Sequence, residues 1–526
     1  MRDRVRSATG TSCPPAVRRR RAALALLAGL LALPAAQRSG AEAPVASGAA
    51  APDTLSLSLR EAILTALERN PTVGVQRLAP RIATERLREQ GAAFEPTLGI
   101  DANASRTRSQ RFLGASRDPF ELTSERVEYG ASLSADLPTG TSVAARAGLV
   151  GSISSIYADQ YTGDLGLTVT QSLLRGLTPG YHLASLRKVR LDLEISDLEL
   201  KAVAERVAAD VEKAYWDLFL AGQEQEIQER SLALAEQQLD ESVERAAVGR
   251  LPQLELAAVR AEAAMRREAM IDAQSRHEQS RLRLLFLMNP PAADPWVLVP
   301  VPVDRPFAPR DTLAALDVHR ELALAHRPDL LQARLDLAKN ALDLARTRSG
   351  LLPRLDLFVT LGRTTYAESF RRGLPDPDSP FYTVSGGAAM ELPLTRREAR
   401  ARHAQTRYTG EQLELALAHM ERTVEHDVRS AYVEVLRARE QIQATEVSRQ
   451  LQEQKVLAEQ EKFRVGESTN YLVLQAQRDL VASQLDQARA MVAYLSALVD
   501  LHTMEGTLLE RRGIRPLGEP ARGDLP

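Results

Sequence analysis

Residues 200–218, LKAVAERVAADVEKAYWDL, carry apolar side chains at steps of three and four residues. The apolar positions are Leu200, Val203, Val207, Val211, Ala214 and Leu218. This spacing places them in one stripe along a helix. The surrounding segment 181–247 contains no proline and a single glycine, so it predicts one very long helix.

A second stripe with the same steps begins 217 residues later. Its apolar positions are Leu417, Met420, Val424, Val428, Ala431 and Val435. The pair Val248-Gly249 returns as Val465-Gly466 at the same distance, and ALERNP at 66–71 resembles ALAHRP at 323–328. We interpret the chain as two internal structural repeats.

Each repeat is predicted to contain a short helix, strands, a long helix, a tight turn and a return helix. The first repeat spans 55–289, with a short helix at 72–92, strands at about 97–174, a long helix at about 178–247, a turn at 248–252 and a return helix at 253–289. The second spans 318–510, with a short helix at 329–350, strands at about 354–394, a long helix at 395–464, a turn at 465–469 and a return helix at 470–505. The Pro-rich segment 290–317 is predicted to link the repeats, and 511–526 to form a flexible tail.

The predicted strands alternate apolar and polar residues. Val127, Tyr129, Ala131 and Leu133 share one face, whereas Ser, Thr and Gly dominate the other. Lengths of about 9–12 residues are enough for tilted strands to cross a bilayer. The first repeat is about 40 residues longer than the second. The excess is either one more strand pair near 127–150 or an excursion outside the membrane, so four and six strands per chain both stay open.

Composition argues against several classes of function. The chain has 67 basic and 69 acidic residues, a balance that gives no field for nucleic acid. Its one cysteine, Cys13, lies in a segment that we expect to be removed, which excludes thiol catalysis and a disulfide framework. The chain has no phosphate loop, nucleophile elbow or zinc helix motif. We therefore expect no enzyme activity and no cofactor.

The N-terminus has the pattern of a secretory signal. A basic run at 18–21 precedes twelve uncharged residues, AALALLAGLLAL, and then small residues up to Ala41. Twelve residues are too few to span a bilayer as a helix. We predict a signal peptide over 1–41 and export of the remaining chain. No later stretch is apolar enough for a transmembrane helix, so entry into a membrane would require a β-barrel.

One chain has too few strands to close a barrel, and open sheet edges cannot exist in lipid. Several copies would each have to contribute part of one barrel. We therefore predict a mixed α and β fold: a membrane β-barrel shared between protomers, continued by long antiparallel helices packed as a coiled-coil barrel. The alternative is an exported periplasmic coiled-coil scaffold protein without channel activity, which would extract as a soluble protein.

Several short motifs resemble the TolC-like outer-membrane efflux protein family over roughly residues 55–510. They are RPDL at 327–330, TQSLLRG at 170–176, ELPL at 391–394, and Val465-Gly466 followed by YLVLQAQ at 471–477. The resemblance implies a homotrimeric duct in the outer membrane lipid, with its helical part in the periplasm. It also implies a periplasmic adaptor protein and, through it, an inner-membrane pump, in a tripartite efflux or type I secretion system.

The resemblance assigns the two turns between long and return helices to adaptor docking. The implied residues are Val248, Gly249, Arg250, Val465, Gly466, Glu467 and Ser468. Some family members carry acidic residues six and nine positions after the second turn glycine, at the periplasmic entrance. Leu472 and Gln475 stand there in this chain, and Glu255 is the acidic residue six positions after the first turn glycine.

Other residue groups have ordinary interpretations. His419 and His426 are seven residues apart on one helix, too far for a helical metal pair, so no metal site is expected. Tyr215, Trp216 and Tyr432 are predicted to pack between helices. Some strand-end aromatics are interpreted as membrane-interface residues, from the set Tyr157, Tyr161, Phe358, Tyr366, Phe381 and Tyr382. Arg106, Arg108, Arg111, Arg117 and Arg126 are interpreted as a solvated loop cluster, or as a rim that favours anions.

Overall fold

The computed structural model describes residues 54–112, 119–155, 158–249, 252–307 and 313–514. The predicted signal peptide, Arg117, Tyr157, Arg250 and residues 515–526 lie outside the described residues.

The first half of the chain runs from a short strand through four long strands to a helical hairpin. Its elements are β1 (Thr54–Leu57), α1 (Leu59–Arg69), α2 (Pro71–Gln76), α3 (Leu78–Gly91), β2 (Thr97–Phe112), β3 (Pro119–Asp136), β4 (Thr141–Ser154), β5 (Gln160–Ser172), α4 (Pro179–His182), α5 (Ala184–Ala247) and α6 (Gln253–Met288). At 1.5 Å per residue, the 64-residue α5 is about 96 Å long.

The second half has a similar order with two long strands. Its elements are β6 (Val299–Pro302), α7 (Leu316–His326), α8 (Pro328–Ser349), β7 (Arg354–Ala367), β8 (Tyr382–Glu391), α9 (Arg397–Arg464), α10 (Asn470–Glu505) and α11 (Leu508–Arg511). The 68-residue α9 and the 36-residue α10 form the second hairpin.

Polar side chains set the start of the first helices. Ser58 and Glu61 form a reciprocal capping box at the start of α1. Asn70 ends α1 and starts α2, because its Oδ1 accepts from the Thr72 N–H at 2.8 Å. Its Nδ2 donates to the carbonyl of Leu287 at 2.8 Å. The Asn-Pro pair thus separates two helices and ties them to the end of α6.

Six strands form one antiparallel sheet in the order β2-β3-β4-β5-β7-β8. The strand pair that was left open near 127–150 is present as β3 and β4. The strands have 10–18 residues, so the predicted lengths of 9–12 were too short. The added residues lie mainly in the outer ends of β2 and β3, where charged side chains hide the apolar alternation. Arg106 pairs with Glu125 across these strands at 3.2 Å.

The register aligns apolar residues into a row across all six strands. Opposite one another stand Leu98, Leu133, Ala145, Leu167, Leu361 and Val384. Several of these side chains are exposed, including Leu98 at 69% and Val384 at 64%. The residues between them, such as Ser132, Thr168 and Thr360, lie on the opposite, polar face. The sheet therefore has one apolar face that the described residues do not fully cover.

None of the helices in the described part of the chain has an apolar stretch long enough to cross a membrane.

The two helical hairpins contain separate apolar cores. One surrounds Tyr215 and Trp216 of α5, which are 0% and 6% exposed, as predicted. The other lies between α7, α9 and α10, with Val424 and Val428 fully buried and Tyr432 packed at its side. The predicted stripes therefore form the buried faces of the long helices.

The Pro-rich segment 290–317, which was predicted to link the repeats, also contains a strand and an aspartate that contact the first half of the chain. Within it, β6 pairs in parallel with β1. Its prolines are tolerated because a two-stranded sheet leaves one side of each strand free. Asp304 then accepts from the Leu59 N–H at 2.7 Å, and the Tyr215 hydroxyl accepts from the Asp304 N–H at 3.1 Å. The segment thus closes the core of the first half.

The predicted flexible tail begins too early. Arg512 binds Glu212, which is 1% exposed, and Ile514 is 7% exposed within the first core. Leu508 and Leu509 of α11 are fully buried in the same core. A charged pair and a single isoleucine gave no periodic signal, so residues 511–514 were mistaken for tail.

Glu205, in the first half of α5, is buried without full neutralisation of its charge. It is 3% exposed, its Oε1 accepts no hydrogen bond among the described residues, and the Lys201 ammonium is 3.9 Å away. Burial raises the pKa of Glu205 to about 7; Lys201 opposes this shift and Glu510 adds to it. Because the pKa is higher in the folded than in the unfolded chain, Glu205 costs stability as the pH rises above 4.5, and fully above about 7.

We therefore predict that Glu205→Gln raises the free energy of unfolding at pH 8 by about 1–3 kcal/mol and leaves it nearly unchanged at pH 4. Guanidinium titrations followed by tryptophan fluorescence would measure both values. Glu229→Gln, at an exposed position of the same helix, is the matched control and should change neither. An equal gain at both pH values would show that the buried charge is not the cause.

Candidate functional site

The first turn between long and return helices is built around Gly249. Helix α5 ends at Ala247, and the Gly249 N–H donates to the Ala246 carbonyl at 3.1 Å. Gly249 has φ of +74°, a left-handed conformation that glycine adopts without strain. Pro252 then precedes α6, and its carbonyl accepts from the Glu255 N–H at 3.1 Å.

The second turn has the same design with an additional side-chain bond. The Gly466 N–H donates to the Phe463 carbonyl, and the Glu467 N–H to the Lys462 carbonyl at 2.8 Å, which together form a Schellman motif. Gly466 has φ of +82°. The Ser468 hydroxyl donates to Glu459 at 2.8 Å and so ties the turn back to α9.

Ion pairs hold the second turn region. Lys462 binds Glu459 at 2.7 Å, and Lys455 of α9 binds Asp479 of α10 at 2.7 Å. Hydrogen bonds from Lys462 and then Ser468 lower the pKa of Glu459, so it remains ionised at neutral pH.

The two turns lie at the same end of the helical bundle. Glu262 of α6, 8% exposed at its side chain, lies 3.8 Å from Arg478 of α10 and is bound by Arg266 at 2.8 Å. Glu262 and Arg478 are each nine residues or fewer from the start of their helices. The i, i+4 spacing of Glu262 and Arg266 on one helix is visible in the sequence, but the link from Glu262 to Arg478 on another helix is not.

Both turns expose apolar side chains. Val248 is 69% exposed and Val465 is 62% exposed, and Leu254 and Tyr471 beside them are also exposed. Apolar side chains grouped at the tip of two rigid hairpins are typical of a protein interaction site. Of the seven predicted docking residues, the structure therefore brings six together on two turns, and Arg250 is outside the described residues.

The candidate entrance residues lie in the first turns of the return helices. Glu255, Leu472 and Gln475 are all exposed. Glu255 stands in the first turn of α6, where a carboxylate is favoured by the helix dipole in any case. The helix dipole thus stabilises a carboxylate at position 255, and the role of Glu255 at an entrance stays a prediction.

The prediction that the arginines between the first two strands lie in a loop was wrong. Arg106 and Arg108 lie inside β2, and Arg126 lies inside β3. Arg106 and Arg108 pair with Glu125 and Glu121 on the facing strand, and Arg126 pairs with Glu128. Arg111 also falls within β2. Three of the five arginines are thus paired with carboxylates, and the alternative of a rim that favours anions stays a prediction.

The strand-end aromatics are partly drawn together by the connection between β7 and β8. Phe370 in this connection makes edge contacts with Tyr161 at 6.1 Å and Tyr129 at 6.0 Å between ring centroids. Tyr366 contacts Phe381 at 6.5 Å. Tyr382 is 75% exposed beside them. Phe358 belongs to the polar face and packs on Gly387 of β8.

Residues 320–507 match the sequence model of the family described as outer membrane efflux protein. The matched segment lies in the second half of the chain, from α7 to the end of α10. Over 193 residues the chain is 34% identical to the "Pyoverdine export outer membrane protein OpmQ" of Pseudomonas putida. The match spans 35% of this chain and 38% of OpmQ, so the chain covers well under half of this relative.

Solved outer membrane channels share the fold of this chain. The Campylobacter jejuni CmeC outer membrane channel aligns with a TM-score of 0.64 and 16% identity, covering 88% of this chain and 87% of CmeC. The open state of the Neisseria gonorrhoeae MtrE outer membrane channel aligns with a TM-score of 0.62 and 18% identity, covering 86% and 89% of the two chains. At these identities the likeness concerns the fold.

We predict that the turns depend on the left-handed backbone of their glycines rather than on contacts at the glycine. An added Cβ at Gly249 or Gly466 meets nothing within 4 Å. The double variant Gly249→Val and Gly466→Val should therefore strain only the backbone, and trypsin should cleave the turns about tenfold faster. The double variant to Asn, which tolerates this conformation, is the control and should resemble the native protein. Equal cleavage of both variants would contradict the backbone explanation.

Proposed function

We propose that the chain forms the outer-membrane duct of an export system, passing substrates from a periplasmic adaptor and an inner-membrane pump to the cell exterior. The observation that carries the proposal is the six-stranded sheet with an exposed apolar face and two unpaired edges, β2 and β8. The match of residues 320–507 to the outer membrane efflux protein family and the shared fold of solved channels support it.

A shared barrel would satisfy both features of the sheet. Lipid would cover the apolar row across the strands. Pairing of β8 of one protomer with β2 of the next would remove every open edge, and three chains would supply about 18 strands. The polar face would line the channel, where Thr168 and Thr360 face each other at 3.1 Å.

Unpartnered apolar side chains on the helices also favour a homotrimer. On one side of the chain, Val75, Leu78 and Ile82 are 50–71% exposed. On α9, Tyr408 is 58% exposed and Leu415 is 74% exposed. A neighbouring copy that continues the helical cylinder would cover both groups, with the helices in the periplasm.

The two turns are the proposed contact with the adaptor. They combine a rigid backbone, held by the glycine bonds and by Glu459, with the exposed side chains of Val248 and Val465. A partner that also ends in an apolar helical tip could bury these side chains with little loss of conformational entropy. The periplasmic entrance would lie at the same end, near Glu255, Leu472 and Gln475.

The first experiment is cell fractionation with electrophoresis of unboiled and boiled samples. We expect an outer-membrane band that runs as a trimer unboiled and as a monomer after boiling, because edge pairing of three sheets resists detergent. A soluble periplasmic protein, or a monodisperse monomer in detergent, would remove the shared barrel and favour the coiled-coil scaffold.

A double variant tests the docking turns. Val248→Asp with Val465→Asp places charges on the exposed apolar tips and leaves both glycines intact. We expect export to fall at least tenfold and chemical cross-links to the adaptor to be lost, because two apolar contacts are replaced by charges that must be desolvated. The nearly isosteric pair Val248→Thr and Val465→Thr introduces no charge, serves as the control and should reduce export less. Normal export by the aspartate variant with an intact trimer would refute docking at these turns.

A further inference from the structure

A cavity of about 510 Å³ lies where the second half of the sheet meets the helices. Its walls are the end of α8, the turn into β7, the end of β8 and the first turns of α9. Six arginines line it against three carboxylates. The arginines are Arg175, Arg346, Arg354, Arg396, Arg397 and Arg402, and the carboxylates are Asp343, Glu391 and Glu398.

Four of these six arginines have no ion-pair partner among the residues that the structure describes. Arg402 binds Glu398 at 2.7 Å, and Arg354 binds Asp356 at 2.6 Å. Asp343 is bound from outside the cavity by Lys188 at 2.6 Å. The four remaining arginines make no ion pair with a carboxylate of the described residues. These four are Arg175, Arg346, Arg396 and Arg397.

One aromatic residue positions two of the free arginines. The Arg346 guanidinium lies over the Tyr181 ring, 5.9 Å from its centroid. The Arg175 Nε donates to the Tyr181 hydroxyl at 3.4 Å. Arg397 is the first residue of α9, so the amino-terminal dipole of a 68-residue helix adds to the positive field.

Exposed leucines surround the cavity at the same level. Leu394, between the lining residues Pro393 and Thr395, is 94% exposed. Leu352 is 48% exposed and Leu392 is 41% exposed. They adjoin the apolar face of the sheet, because Leu392 directly follows β8 and Leu352 closely precedes β7. Arginines beside an apolar collar match the chemistry of a phospholipid, whose phosphate and acyl chains meet at this depth.

We propose that this cavity binds the phosphate group of an anionic glycerophospholipid from the membrane leaflet nearest the helices. The inference rests on the proposed placement of the sheet in the outer membrane. Guanidinium groups would donate paired hydrogen bonds to the phosphate oxygens, while the acyl chains lie against the leucines. The same phosphate chemistry could come from a free anion, so the experiment compares the two sources.

The test uses native mass spectrometry of the detergent-purified full-length protein. It is titrated with phosphatidylglycerol, with phosphatidylcholine, and with phosphatidylglycerol in the presence of inorganic phosphate. We expect phosphatidylglycerol to bind in preference, and Arg346→Gln with Arg397→Gln to weaken it about 30-fold, as two arginines near an anionic lipid would. Arg346→Lys with Arg397→Lys keeps the charge but loses the paired hydrogen bonds, so it should weaken binding less than the glutamine variant does.

Arg260→Gln with Arg422→Gln is the matched control, since both arginines are exposed on helices and unpaired among the described residues. It should bind lipid as the native protein does. The unboiled trimer band of each variant, which reports on the proposed function, should remain.

Equal binding of both lipids by the native protein would overturn the inference. An unchanged preference for phosphatidylglycerol in the glutamine variant would also overturn the inference. If the unboiled trimer band is still present, that result leaves the proposed duct unaffected. Displacement of lipid by millimolar inorganic phosphate would identify a free-anion site and refute the lipid assignment.

Discussion

The unpaired edges of the six-stranded sheet are the constraint on which the other features depend. Strands β2 and β8 each present a row of backbone N–H and C=O groups that pair with no other strand in the described part of the chain. Water can form hydrogen bonds with those backbone groups, but exposure of the apolar row from Leu98 to Val384 to water costs free energy. In the proposed trimer, a strand of the neighbouring protomer would resolve the conflict, and the exposed helical faces of α3 and α9 would be covered by neighbouring copies. The repeated hairpins would then allow each chain to supply part of the barrel wall with few strands.

The long helices and most strands could be predicted because their signals are periodic and local. Steps of three and four within proline-free segments of more than 60 residues leave no other regular structure, and the observed bounds of α6 and α10 differ little from those expected. Non-local pairings were not accessible. The segment Val299–Pro302 becomes a strand only because β1 lies beside it, 245 residues earlier. The outer ends of β2 and β3 were hidden because their charges pair across strands, which a single strand does not reveal.

The candidate sites divide in the same way. The turns around Gly249 and Gly466 were visible because a Val-Gly pair between two long helical patterns has few other interpretations. The bond from Ser468 to Glu459 and the link between Glu262 and Arg478 needed the fold. The arginine cavity was not predicted at all, since its lining comes from three separate segments, 175–181, 343–354 and 391–406, in which each arginine looks like an ordinary surface charge.

The closure of the first core by the end of the chain has a consequence for the order of folding. Leu508, Leu509 and Ile514 pack beside Tyr215, and Arg512 meets a glutamate 300 residues earlier. Because synthesis delivers the N-terminal half first, that half must wait with an open apolar core until the last helix arrives. Such distant contacts make folding slow and leave apolar surface exposed meanwhile. The half-made chain is therefore the form most in need of a chaperone, and loss of only the last twenty residues would prolong that need indefinitely.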